Sequence, residues 1–250
     1  MAPTMPPPIS ATSKTVSSPA PPAAGSLATV DLRRRRARRG DAVDHVGHRP
    51  RGLDAPLHFL DFETVAPVVP LFDGTSPCRQ VPFQYSLHRQ TSGGELAHRA
   101  FLGDGRSDPR PALVDQLLRE VGPDGDILSY TAYEKTQLNN LIEAVPARAV
   151  ELRAVIDRLV DMSRLFADHL YYTAAMNGSY SIKAVLPALV PDLTYDGLPI
   201  ADGLAAAGAY EALHYETDPE RIEAVRNALL DYCGVDTLAM VRILEVLEAV

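Results

Sequence analysis

Tryptophan is absent from this chain, only 2 of its 250 residues are cysteine, and aromatic residues make up just 6% of it. Cys78 and Cys233 form neither a C-x-x-C pair nor a disulfide framework. That points to a reducing compartment, with the cytoplasm as the expected location, and to two small apolar side chains. No apolar run approaches the ~20 residues of a membrane span, so the expectation is a soluble chain with no membrane partner. No G-x-G-x-x-G turn or P-loop occurs, which excludes the common glycine cradles for nucleotides. The stretch "GDGRSDPR" from Gly103 lacks the ligand spacing of a calcium loop and reads as an ordinary connection.

Positive charge is scarce over most of the length. The formal net charge is -8, but residues 1–51 hold 9 Lys/Arg against 3 Asp/Glu, whereas residues 52–250 hold 15 against 29. A basic tail therefore precedes an acidic body. Such a body excludes broad phosphate binding through a basic face, yet a cluster of metal-binding carboxylates gives the same balance. Residues 1–50 are rich in Pro, Ala and Ser with few large apolar side chains, so they cannot bury enough surface to offset chain entropy and are expected to be disordered. The run "RRRRARR" from Arg33 to Arg39 fits a solvated tail, a nucleic-acid-binding arm or a transit peptide. His45 and His48 have metal-compatible spacing, but two ligands alone make no site.

From Pro56 the pattern is globular, and the 46% hydrophobic content suffices for a core in one domain over residues 56–250. Leu57–Phe62 and "VPFQYSLHR" read as strands, "TSGGE" as a hairpin turn into "LAHRAFL", and "DILSY" as a fourth strand. Asp108 and Pro109 start a helix between strands three and four; further helices are predicted at Tyr133–Ala144, Ala147–Phe166, Ser181–Leu189, Gly203–Leu213 and Asp218–Val250, the last with a bend at Gly234. This order predicts an α/β fold with a mixed sheet covered by helices.

Two patterns carry chemistry. Side chains alternate along a strand, so in "PLHFLDFETVAP" Asp61 and Glu63 share one face with Leu57 and Phe59. Adjacent carboxylates on an apolar face repel, and need a shared proton, solvent or a cation; hard divalent ions take carboxylate oxygens. In "DPERIEAVRNALLDYCGVDTLAM", Ile222, Val225, Leu229, Tyr232 and Asp236 recur at spacings of 3, 4, 3 and 4, which puts a phenol and a carboxylate one turn apart on the core-facing stripe.

An early D-x-E on a strand with a late Y-x-x-x-D on a helix resembles the DEDD exonucleases of ribonuclease-H-like fold, in their tyrosine variant. The phrases "FLDFETVAPVVPLFDGTSPCRQVPFQYSLH", "GSYSIKAVLPALVPDLTYDGLPIADG" and "LLDYCGVDTLAM" are similar to one bacterial family grouped with them, domain of unknown function 2779. The resemblance implies a mixed sheet with its first three strands antiparallel and its later strands parallel. It also implies a 3'-5' exonuclease acting on single-stranded DNA or RNA ends with two Mg2+ or Mn2+ ions. Asp61, Glu63 and Asp236 would ligate the metals and Tyr232 would orient the attacking water. The second acidic motif should end in Phe-Asp after the fourth strand; here Tyr133 and Glu134 stand in those places, and Glu134 becomes the fourth ligand. Asp126 and Asp161 are alternatives.

Thr64, Gln84 and Lys183 are candidate contacts to substrate, Lys183 through the expected helix start at Ser181. The longer Glu134 motivates a rival from another class, a catalytically silent module of the same fold that binds nucleic acid or protein. A third reading has the same acids hydrolyse a small phosphate ester. Protein partners are not specified by the sequence.

Overall fold

Alternation along the first strand of the acidic body sorts its side chains into two cores. In this computed structural model, which describes residues 29–31 and 49–249, Leu57 and Phe59 face one apolar cluster and Leu60 and Phe62 the other. The rest of the expected tail, including the arginine run, His45 and His48, lies outside the described residues. Two short strands, β1 (Thr29–Asp31) and β2 (Arg49–Arg51), pair in parallel.

The main sheet holds β3 (Leu57–Val65), β4 (Val81–Gln90), β5 (Leu96–Leu102), β6 (Ile127–Ser129) and β7 (Leu159–Asp161). Its order is β5-β4-β3-β6-β7. β5, β4 and β3 are antiparallel, while β6 and β7 run parallel to β3, so the chain has the expected mixed α/β sheet. On one face lie α1 (Arg110–Val121), α2 (Tyr133–Ala144) and α3 (Ala149–Asp157), which bury Leu113, Leu117, Leu138, Leu141 and Leu152 against Leu60, Phe62 and Tyr85. α4 (Arg164–Ala167), α5 (Ile182–Leu189), α6 (Gly203–Leu213) and α7 (Pro219–Ala249) cover the other. Among the described residues no helix is long and apolar enough to cross a membrane.

One expected element is corrected. Instead of a single helix over Ala147–Phe166, the chain leaves α3 at Asp157, forms β7 and re-enters a helix at Arg164. Arg158 explains the break. Its guanidinium donates to the carbonyls of Gly122 and Gly125, both at 2.6 Å, and its own carbonyl accepts from the Ile127 N–H at 3.0 Å, so the next residues are drawn beside β6. Helical periodicity continues through "RLVDM", but the ladder beside β6 satisfies the same backbone groups. The last helix runs unbroken through Gly234.

α7 carries acidic and phenolic side chains to the sheet, and its height there decides where they arrive. Its core stripe buries Leu229, Tyr232, Cys233, Asp236 and Thr237. Buried polar groups of β4 fix that height: Gln84 Nε2 donates to the Leu229 carbonyl at 2.8 Å, and Thr237 Oγ1 meets Ser86 Oγ at 2.7 Å and His88 Nδ1 at 2.8 Å. These bonds specify one register of helix on strand where apolar packing alone tolerates sliding.

The entry to β6 is the least forgiving turn. Gly125 has φ +81°, and a Cβ there would lie 1.8 Å from the Pro56 carbonyl oxygen that precedes β3. Gly125→Ala is therefore expected to lower unfolding stability by at least about 2 kcal/mol, because left-handed strain adds to a backbone clash. Urea denaturation followed by circular dichroism checks this.

Candidate metal centre

Asp61 and Glu63 stand at the far end of β3, opposite Ser86 and Gln84, just before the ladder shifts register between Glu63 and Thr64. The parallel strand β6 ends beside them, and α2 starts four residues later with Tyr133 and Glu134. This is the carboxyl end of the parallel strands, where open α/β sheets present their crevices. From the other face α7 brings Tyr232, Cys233 and Asp236. The result is a cavity of about 400 Å³ whose wall includes Asp61, Glu63, Asp236, Tyr232, Tyr133, Tyr180 and Lys183.

Glu134 packs behind that wall. It is 1% exposed, against 8% for Glu63 and 9% for Asp236, and its Oε2 has no hydrogen-bond partner. Burial first, and then the charge of Asp61, pushes its carboxyl well above the usual range. Asp61 is raised by burial and by Asp236; Glu63 by burial, then by Asp61 and Asp236. Burial raises Asp236 as well, but only to about 6, because the Tyr195 hydroxyl donates to its Oδ1 at 2.6 Å and Lys183 lies near. Four carboxyls in one buried place cannot all ionise without compensation. The raised carboxyls hold protons near neutral pH, and Cys233 Sγ donates to Asp61 Oδ2 at 3.5 Å. The donor set and the orphaned Glu134 oxygen fit a divalent cation, which would satisfy several carboxylates together.

The other candidates fall in different places. Lys183 is at the cavity, its Nζ donating to the Ala201 carbonyl at 2.9 Å and lying 5.5 Å and 5.9 Å from the ring centroids of Tyr195 and Tyr232. Thr64 is outside the cavity wall and bonds the Tyr133 hydroxyl at 2.7 Å. Gln84 is fully buried under α7, occupied by the Leu229 carbonyl, and so is a strut rather than a substrate contact. Asp161 is spent on the Thr131 and Ser163 backbone N–H groups, and Asp126 accepts from Asp54 N at 2.7 Å, so Glu134 is the acid that the fold delivers to Asp61.

Two contributors escape the sequence patterns. Cys233 reads as an apolar filler, yet its sulfur, with oxygens of Asp61 and Glu63, forms a group of ligand atoms all within 4.8 Å of one another. The signal was its place between Tyr232 and Asp236. Tyr195 sits in the loop between α5 and α6, where no periodicity marks it, and only the folded chain puts its hydroxyl on Asp236.

The model of a family described as "Domain of unknown function (DUF2779)" matches residues 58–181. The match includes Asp61, Glu63 and Glu134 and stops before Lys183, Tyr232 and Asp236. No curated protein and no solved structure matches the chain.

The titration directions predict how stability follows pH. A carboxyl raised in the folded state contributes fully below its unfolded pKa, near 4, and loses that contribution as pH rises through the folded value. His58 and His88, each lowered from 6.5 to about 4 mainly by burial, act oppositely and cost stability as pH falls from 6.5 toward 4. Above about pH 4 the four raised carboxyls outweigh the two lowered histidines, so metal-free protein should have its highest melting temperature at about pH 4 and a steadily lower one as pH rises toward 8. Divalent metal at roughly a hundred times its Kd should raise the melting temperature by about 5–10 °C, more at pH 8 than at pH 5, since binding displaces protons. Thermal scans across pH with and without metal check both statements.

Proposed function

We propose that this chain, whose residues 58–181 match DUF2779, is a metal-dependent 3'-5' exonuclease of ribonuclease-H-like DEDD type, with the tyrosine variant of the last motif, acting on single-stranded DNA or RNA ends. The observation that carries the reading is the convergence of Asp61, Glu63 and Asp236 on one cavity, with Glu134 directly behind Asp61. These acids come from two strand positions, one helix start and one distant helix, in the order the resemblance requires. Antiparallel strands β5, β4 and β3 followed by parallel β6 and β7 support the same fold.

Asp61, Glu63, Glu134 and Asp236 would hold the metal ions. Divalent ions so bound supply Lewis-acid polarisation of a phosphoryl oxygen and a hydroxide near neutral pH. The chain's own residues do the rest. Tyr232, one turn before Asp236 and in the cavity wall, orients the attacking water through its phenol. Lys183 leaves the Ala201 carbonyl to pair with a phosphate oxygen. A cavity of about 400 Å³ lies in the range of small-ligand pockets, roughly 300–1,000 Å³, and admits one nucleotide rather than a duplex. That favours cleavage at an end. An acidic body could accept a phosphodiester because bound ions, rather than a basic face, would meet its charge.

One observation favours a second reading. Glu134 is outside the cavity wall and 1% exposed, and burial and the charge of Asp61 favour its protonated form, a neutral packing role that a metal-free binding module of the same fold would keep.

The test uses the full chain on oligonucleotides carrying a 5' label, with magnesium, manganese, cobalt or zinc supplied singly and with a 3'-blocked control. Stepwise shortening from the free 3' end is expected. Asp61→Asn or Asp236→Asn should cut the rate by more than about 100-fold, beyond the usual loss when only a supporting residue is removed. Hydrolysis of a small phosphate ester without oligonucleotide shortening would replace the exonuclease reading. Metal binding without any turnover would move the assignment to the binding module.

A further inference from the structure

A buried cysteine on a core-facing helix ordinarily serves as a small apolar filler. Cys233 is fully buried but meets a carboxylate: its Sγ is 3.5 Å from Asp61 Oδ2. Glu63 contributes an oxygen to the same group, with all three ligand atoms within 4.8 Å of one another. A zinc-class ion takes sulfur at about 2.3 Å and carboxylate oxygen at about 2.0–2.2 Å, and a tetrahedral angle between them separates sulfur from oxygen by about 3.5 Å. The spacing across the thiol and Asp61 is therefore that of two ligands on one tetrahedral ion. A second, independent observation that points to a cation lies next to it. Glu134, beside Asp61 and 1% exposed, has an Oε2 with no hydrogen-bond partner.

We propose that Cys233 is itself a metal ligand, completing with Asp61 and Glu63 a site for a zinc-class divalent ion, with the fourth position open to the cavity. The proposal rests on the metal-dependent reading of the same site and names which ions that site prefers. Magnesium demands oxygen ligands in near-octahedral geometry, whereas thiolate selects softer ions such as zinc and cobalt. On binding, the Cys233 S–H bond breaks, its proton leaves to solvent and a metal–sulfur bond forms, so the ion replaces the proton now shared between sulfur and Asp61. Asp61 and Glu63 both line the cavity, so the vacant coordination position faces the space where a phosphate would enter. Three protein ligands and one open position is the pattern of a catalytic rather than a structural zinc site.

The experiment titrates cobalt into metal-free full-length protein, with Cys78→Ser as background because Cys78 is the other, exposed thiol. One equivalent should bring up the near-ultraviolet charge-transfer band of a cobalt–thiolate bond and raise the melting temperature. In Cys233→Ser, and in Cys233→Ala should the serine variant fold poorly, the band should vanish and cobalt affinity fall by more than about tenfold. Manganese should still raise the melting temperature of either variant. Cobalt that stabilises the protein without the band, or a band that persists in Cys233→Ser, overturns the proposal and leaves the metal-dependent reading standing. No band and no thermal shift with cobalt, manganese or magnesium overturns both.

Discussion

Carboxyl groups brought together with little access to water repel one another and lose hydration, and this governs the end of β3. Asp61, Glu63, Glu134 and Asp236 meet there, the last three buried and Asp61 half-buried. The fold tolerates them by shared protons, by the thiol of Cys233, by the Tyr195 hydroxyl and by the ammonium of Lys183. Each offsets part of the repulsion, and the Glu134 Oε2 is still left without a hydrogen-bond partner. A protein selected only for stability would replace such a cluster with apolar side chains of similar volume. Its position at the carboxyl ends of two parallel strands, beside a cavity, is what makes it the candidate site.

Bringing the fourth acid into place is the task of α7. Apolar packing along Leu229, Ala239, Ile243 and Leu244 supplies the burial but not a unique register. The buried bonds from Gln84, Ser86 and His88 supply the register, and they join strand positions that alternate with the apolar ones on β4. Gln84 faces the same side as Glu63, its partner across the ladder. It therefore acts through the helix it holds.

Much of this architecture was legible in the sequence, and the exceptions have physical reasons. Strand alternation predicts that Asp61 and Glu63 point together, because two-residue periodicity survives any tertiary context. The helix stripe from Ile222 to Asp236 is equally robust, and the hairpin of β4 and β5 is marked by its glycine turn. β7 was hidden because three residues carry too little pattern to compete with flanking helical periodicity; only the Arg158 bonds to a distant loop decide the matter. Tyr195 and Cys233 were hidden for another reason. A loop tyrosine and a helix cysteine have bland readings that are right in most proteins, and their chemistry depends on which carboxylate the fold sets opposite them.

The same opposition would tie folding to a bound cation. The acids that meet in the cavity come from β3, the start of α2 and the far part of α7, elements separated by up to 175 residues of chain. In the metal-free state their repulsion works against docking α7 on the sheet, and the polar bonds from β4 work for it. A cation between them reverses the first term without altering the second. It would then act as a cross-link among three elements, contributing through mass action on the folded state alone. The site would gain its rigid geometry at the moment it gains its ion, and the strain of holding four acids together is tolerable in the absence of metal because α7 is anchored elsewhere along its length, at Leu229 and Thr237.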